Sequence, residues 1–357
     1  MTAPEHDLLA IVAAAPGDPE GVRRVCTSVQ DWDALADCAA AHGLAGVVLA
    51  EARGAKATLP KSPSRRLEGW LAESRAREAS HRQALGEALG ALHSAGIRAV
   101  ALKGLVLGER LYGGRALRPT TDIDLLVSDG SCERATAALV DAGWSWKVDP
   151  TERYHRRHHQ HLHLLREGAP LVELHFRALT GFGTVVPAEG FLARALPYRS
   201  EAGPTFVLAA EDEVLYLAVH AAGHLLVRLG WLYDLKLLIR ASPNLAWEVV
   251  RRRAEELGVW RAVTFALGAA RSLGAEVSHG LLLGPGFRDV SAERVRRLAL
   301  RKPQPSPGYT AGWIAFHALL ADTPRGAARH LAHHLGRVAR RRVRHHLARL
   351  APEEWSG

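Results

Sequence analysis

The run Arg118-Pro119-Thr120-Thr121-Asp122-Ile123-Asp124-Leu125-Leu126-Val127 is the strongest constraint on how this chain can fold. After Thr121 it alternates polar and apolar and then becomes wholly apolar, which predicts a largely buried strand. Side chains two apart on a strand share a face, so Asp122 and Asp124 project together from one rigid element. Two such carboxylates raise each other's pKa unless a cation lies between them. For an all-oxygen site that cation is ordinarily Mg²⁺, held by one or two carboxylates together with substrate phosphates. A solvated Asp pair capping a turn is the plainer alternative, and the surrounding sequence weighs against it.

A second strand, Leu171-Val172-Glu173-Leu174-His175-Phe176, puts Glu173 and His175 on one face and Val172, Leu174 and Phe176 on the other. A mid-strand carboxylate among apolar neighbours is costly without a partner. The economical partner is the Asp122–Asp124 site, and three carboxylates from two neighbouring strands suit a two-metal clamp for in-line phosphoryl chemistry. An edge-strand Glu173 facing water is the competing view. Lys103-Gly104 falls where a strand passes into a helix. Glycine admits a ligand close to the backbone, and a helix N-terminus offers free N–H groups to an anion. This outlines a triphosphate cradle, although Lys103 could equally be a solvated strand end.

The segment from Ala210 to Ile239 reads as one helix. On it His220, His224, Arg228, Trp231 and Asp234 fall on a single stripe. Polar, cationic and aromatic groups on one face suggest a site wall for base, phosphate or acceptor; a solvent-facing stripe is the alternative. The cluster from Tyr154 to His163 places His159, His161 and His163 on one strand face, but Arg156 and Arg157 disfavour a metal. A basic strand or phosphate-contacting edge is the expectation there. The run from Arg325 to Leu350 has eight arginines and no acids, with apolar stripes through Leu331, Leu335 and Val338 and through Val343, Leu347 and Leu350. A basic amphipathic helix of this kind suits RNA, an acidic peptide or lipid, or simply a packed helix with a charged outer face.

With 357 residues and 48% hydrophobic content, the chain can build two or three domains. The expected class is α/β (α+β): a small mixed sheet between helical regions. An N-terminal helical region covers 1–75, a sheet-bearing core 76–180, and a C-terminal helical region for substrate recognition 181–357. Within these, a long helix is expected from about Ser64 to Ser94, ended by Gly96. Past Gly181 the pattern reads as helical almost to the end. Cys26, Cys38 and Cys132 are odd in number and widely spaced, pointing to reduced thiols and no zinc site. No transmembrane segment or signal pattern stands out, so a cytoplasmic location is expected. The net charge of +9 favours phosphate-bearing partners. Only six lysines occur among many arginines and alanines, a composition expected of a GC-rich bacterial genome.

Ala99-Val100-Ala101-Leu102-Lys103-Gly104, Leu111-Tyr112, Arg118 and Asp122-Ile123-Asp124-Leu125-Leu126-Val127 resemble the uncharacterised bacterial nucleotidyltransferases of the DNA polymerase β superfamily. Val172-Glu173-Leu174-His175 resembles the next motif of that family, and the segment with His220, His224, Arg228, Trp231 and Asp234 its downstream helical motif. The resemblance spans roughly 80–240. It implies transfer of a nucleoside monophosphate from an NTP, expected to be ATP, with release of pyrophosphate and dependence on Mg²⁺ or Mn²⁺. Asp122 and Asp124 would be the main metal ligands, and Glu173 the third ligand or the general base. Lys103, Gly104, Arg118 and His175 would join the helical-motif residues in binding the nucleotide. One departure stands out: the wider superfamily carries Gly-Ser shortly before the first Asp, whereas Lys103-Gly104 lies further upstream. The acceptor is left open among a small molecule, a peptide and a protein. Nucleotide addition to RNA through the basic C-terminal run, and a non-catalytic nucleotide-binding scaffold, are the alternatives.

Overall fold

A computed structural model of the chain describes residues 3–114, 116–146, 160–278 and 307–336. The histidine cluster up to His159 and the basic run beyond residue 336 lie outside the described residues. Four helices open the chain: α1 (Ala3–Ala14), α2 (Pro19–Ser28), α3 (Trp32–Ala41) and α4 (Ala45–Gly54). Aspartates start two of them by satisfying orphan backbone donors: Asp18 accepts from Gly21 N at 2.8 Å and Asp31 from Ala34 N at 2.9 Å.

Helix α5 (Lys61–Ser94) begins three residues earlier than the sequence suggested and ends as expected, with Gly96 in the left-handed region (φ +67°). Its two halves serve different cores. Leu67 and Leu71 pack with the N-terminal helices, whereas Ala84, Leu85, Ala88, Leu89 and Leu92 lie on the sheet.

Among the described residues the main sheet has seven strands, in the order β3-β4-β5-β2-β1-β9-β8. They are β1 (Val100–Ala101), β2 (Asp122–Leu126), β3 (Ser145–Trp146), β4 (His161–Leu165), β5 (Leu171–His175), β8 (Leu196–Ser200) and β9 (Gly203–Val207). Helix α6 (Gly104–Tyr112) follows β1 and α7 (Cys132–Asp141) follows β2. A separate hairpin, β6 (Arg177–Gly181) with β7 (Thr184–Pro187), precedes the short helix α8 (Glu189–Arg194). The sheet is mixed: β2 runs parallel to β5 and β1 parallel to β9, while the other pairs are antiparallel. Strands β7 to β9 correct the expectation of helix throughout the region past Gly181. The pairs Leu196↔Val207 to Ser200↔Gly203 form a hairpin whose β9 docks on β1.

Alternation along the central strands decides where the chemistry sits. Ile123, Leu125, Val172 and Leu174 bury against the C-terminal half of α5 and α7. Each contributes roughly 1.5–3 kcal/mol of burial free energy, enough to fix which face points inward. The opposite face, bearing Asp122, Asp124, Glu173 and His175, is thereby turned toward the C-terminal helices. These are α9 (Ala210–Gly223), α10 (Leu229–Ala241), α11 (Trp247–Leu257), α12 (Trp260–Ser272) and α13 (Pro307–Leu319), followed by helical residues 324–336. Leu217, Leu235 and Phe265 of this group share one apolar core with Leu8 and Leu35 of the N-terminal helices. Among the described residues, no helix is long and apolar enough to cross a membrane.

Candidate active site

The parallel pairing of β2 with β5 sets Asp124 directly beside Glu173, and Leu126 beside His175. Asp122, Asp124, Glu173 and His175 therefore converge on one cleft of about 260 Å³, across roughly 50 residues of sequence. Asp124 is buried, whereas Asp122 and Glu173 reach partway to water. The Nε2 of His175 lies 3.1 Å from Asp124 Oδ1 and 3.5 Å from Glu173 Oε2, so one imidazole edge ties both carboxylates. From β4, His161 Nδ1 lies 3.9 Å and His163 Nε2 3.4 Å from the carboxylate of Glu173.

Lys103 ends the approach to α6 and sends its ammonium between the aspartates, 2.7 Å from Asp124 Oδ2 and 3.7 Å from Asp122 Oδ2. Asp124 Oδ2 is buried, and the Lys103 ammonium is the group that faces it. The sequence anticipated Lys103 as a phosphate contact; its placement among the carboxylates makes it first their counter-ion. Gly104 beside it has φ +68°, and a Cβ there would meet Thr120 Cγ2 at 3.3 Å. Glycine adopts this backbone without strain and lets the turn press closely on the strand that follows.

Electrostatics separates the three carboxylates. Burial pushes Asp124 up, but Lys103 and the hydrogen bond from His175 overcome it and hold its pKa well below the usual carboxylate range. Glu173 is also held down despite burial, chiefly by the hydrogen bond from His175 and by His161. Asp122 shifts the other way: burial and the neighbouring Asp124 raise it more than Lys103 lowers it. Lys103 and His175 are both raised, the carboxylates outweighing the burial that opposes their charge. His161 is pushed down to about 4 by burial and by His175.

The opposite wall comes from α9 and α10, and here the sequence expectation needs correction. Residues 210–239 are not one helix. The chain breaks after Gly223, and Leu225 and Leu226 both take left-handed backbone (φ +57° and +56°) before α10 starts at Leu229. Such conformations cost leucine roughly 1–2 kcal/mol each, offset by the burial of both side chains. His220, His224, Arg228 and Trp231 do line the cleft, but this turn gathers them, not a continuous helical stripe. Trp231 sets its ring 5.1 Å from His220 and 5.0 Å from His224, and Arg228 lies 5.8 Å over it. Burial and nearby Lys103 push both histidines down, His220 further because it is the more enclosed.

Asp234 does not line the cleft. The break rotates α10 so that this residue points behind it, fully buried against Arg118 and Tyr112. Arg118 Nε donates to Oδ1 at 3.0 Å, Nη2 donates to Oδ2 at 3.0 Å, and the Tyr112 hydroxyl donates to Oδ1 at 2.6 Å. Arg118, an expected nucleotide contact, also lines the cleft, and its Nη1 reaches the Gly104 carbonyl at 3.4 Å.

Tyr216, Gln160 and His161, none of them an expected site residue, also line the cleft. Tyr216 lies one turn before His220, with rings stacked at 6.4 Å, so helical spacing could have found it. His161 was visible only as part of a basic cluster. Its strand pairing with β5, His161↔His175, brings it to the site.

Among the described residues, two side-chain groups could hold a metal ion: Asp124 with Glu173 and His175, and His161 with His163 and Glu173. Within each, the donor atoms lie within 4.8 Å of one another. No curated protein and no solved structure matches the chain. A family model described as uncharacterised nucleotidyltransferase matches residues 28–274, which include all three carboxylates, Lys103 and both cleft-lining helices. With most of its length matched, the chain belongs to this uncharacterised nucleotidyltransferase family.

Proposed function

We propose that the protein is a metal-dependent nucleotidyltransferase that moves a nucleoside monophosphate from an NTP, with ATP the first candidate, to a hydroxyl acceptor. The observation that carries this reading is the register of β2 and β5, which aligns Asp124 with Glu173 and leaves Asp122 beside them. The donor set suits Mg²⁺ or Mn²⁺: Asp124 and Glu173 share one candidate cluster with His175, Asp122 projects beside them from the same strand face, and Asp124 Oδ2 is buried with an ammonium facing it. Asp122, Asp124 and Glu173 would hold the metal. Bound divalent ions would supply charge stabilisation to the α-phosphate and the departing pyrophosphate.

The chain's own residues then divide the remaining work. Glu173, held ionised by His175, accepts the proton of the acceptor hydroxyl. The acceptor oxygen bonds to the α-phosphorus, the bond from that phosphorus to the bridging oxygen breaks, and pyrophosphate leaves. Lys103 and Arg228 offer positive charge to the triphosphate, and Gly104 brings the backbone at the start of α6 close to it. Trp231 presents a flat ring on which a base can stack. His175 orients two of the carboxylates through one nitrogen.

The test uses NTP labelled at the α-phosphate, Mg²⁺ and the full chain. Wild type releases pyrophosphate and passes label to acceptor or water, whereas Asp124→Asn and Glu173→Gln lose at least about a thousandfold in kcat, the upper scale for loss of one preorganised stabilising group. Equal turnover in Asp124→Asn, or turnover without divalent metal, would refute the assignment.

A further inference from the structure

Gln160, His161, Tyr216, His220 and His224 form a partition. One side faces the carboxylate cleft, and the other opens onto a second chamber of about 370 Å³. The far side of that chamber is made by α13 and residues 324–336, and its floor by the β6–β7 hairpin. These outer elements are fastened to the partition. Trp313 Nε1 donates to the Gly223 carbonyl at 3.2 Å, and His317 Nε2 lies 2.9 Å from the same oxygen. Phe182 at the hairpin tip stacks on His317 at 4.6 Å, and the Trp313 ring lies 3.9 Å from that of His317. Trp313, His317 and His330 lie beyond the residues matched by the family model, so family membership does not account for this wall.

The two cavities have opposed chemistry. The cleft carries three carboxylates, whereas no acidic side chain lines the chamber among the described residues. Fixed positive charge comes from Arg177 and Arg329, with aromatic surface from Trp313 and Tyr216. His317 adds a neutral ring, since burial and then neighbouring His330 hold its pKa down at about 3. An anion entering here meets arginines and is kept off the carboxylates next door. A volume of this size accommodates a small molecule.

We infer that this chamber is the acceptor site, and that the acceptor is a small hydroxyl-bearing molecule with a flat aromatic body and an anionic group. The inference rests on the nucleotidyltransferase reading for the word acceptor. The anion sits toward Arg177 and Arg329, the body lies among Trp313, Tyr216 and the histidines, and the hydroxyl passes the partition toward Glu173. The transfer is balanced without another reactant: the hydroxyl oxygen joins the α-phosphorus, pyrophosphate leaves, and the proton passes to Glu173.

The test is calorimetric titration of nucleotide-free full-length protein with para-hydroxybenzoate, para-hydroxyphenylacetate and para-hydroxyphenyllactate, and with para-cresol as the uncharged control. Saturable binding of at least one acid, tighter than para-cresol, is expected. Arg329→Glu, on an exposed helical face, and Val185→Trp, at the exposed rim, should each weaken it at least about tenfold. Binding of none of the acids, or binding indifferent to both chamber variants, would overturn the assignment. So would a loss of ATP affinity in Arg329→Glu equal to its loss of acid affinity, since the chamber would then hold the nucleotide. The titration needs no turnover. A protein that binds the acids but transfers nothing defeats the enzymatic reading; one that transfers nucleotidyl groups yet binds none of them defeats the acceptor site.

Discussion

Asp234 and Asp124 are both buried aspartates beside a cation, and the fold treats them in opposite ways. Around Asp234 the charge is closed: both oxygens accept from Arg118, and Tyr112 adds a third donor. Around Asp124 it is open. His175 engages one oxygen and the Lys103 ammonium the other, while Asp122 and Glu173 add negative charge alongside. A closed knot of this kind holds elements together; here it ties α10 to α6 and, through Arg118 Nη1, to the Lys103-Gly104 turn. An open cluster with more carboxylate than fixed cation is a place for a divalent ion.

Asp234→Asn leaves Arg118 buried without its ion pair, so a loss of roughly 3–5 kcal/mol of unfolding free energy is expected in urea melts. A loss under about 1 kcal/mol, within the range of exposed pairs, would mean that the knot is not structural. Next in size is the response to metal. Mg²⁺ or Mn²⁺ at a hundred times its dissociation constant should stabilise the native state by about 2.7 kcal/mol. Thermal melts should show that gain in wild type and not in Asp124→Asn.

Trp231→Ala should raise KM for NTP by an amount corresponding to roughly 1–3 kcal/mol, the contribution of one stacked base. Metal-induced stabilisation should survive this substitution, because the ring lies on the opposite wall. A change in kcat alone would place Trp231 in the chemical step instead.

The smallest expected effect concerns relief of repulsion in the metal-free protein. Asp122 is the carboxyl raised by burial and by Asp124, so its ionisation is disfavoured in the fold. Asp122→Asn should therefore be slightly more stable than wild type at pH 7. That advantage should shrink as pH falls toward the ordinary carboxyl range of about 3.9, where both folded and unfolded wild type bind the proton. Asp124 has the opposite sign, since its carboxylate is favoured by Lys103 and His175. Its stabilisation is present above the ordinary carboxyl range and is lost as pH falls below it toward the depressed folded value. Asparagine there should weaken the metal-free protein, although carboxylate repulsion alone suggests relief. Denaturant melts of both variants across this pH range check the two signs.

Sequence patterning reached the strand faces and stopped at their pairing. Alternation in Asp122–Leu126 and Leu171–His175 decides which side chains are buried, because a one-residue slip would expose Ile123 and Leu125. The parallel pairing of these strands joins residues about fifty apart, and no local signal specifies it. The turn at 224–228 was hidden for another reason: its left-handed positions are leucines, held there by burial instead of marked by glycine or proline. That turn is also why Asp234 faces Arg118 and not the cleft. Strands β8 and β9 lay in a region read as helical, although Gly203 and the alternation from Thr205 to Val207 were available signals.

The most direct measurement is a Mn²⁺ titration followed by electron paramagnetic resonance on wild type, Asp124→Asn and Asp234→Asn, at a temperature where all three are folded. Saturable Mn²⁺ binding is expected in wild type and in Asp234→Asn, and its loss in Asp124→Asn. Binding in Asp124→Asn equal to wild type, or equal loss in both variants, would contradict the distinction between an open carboxylate cluster and a closed ionic knot.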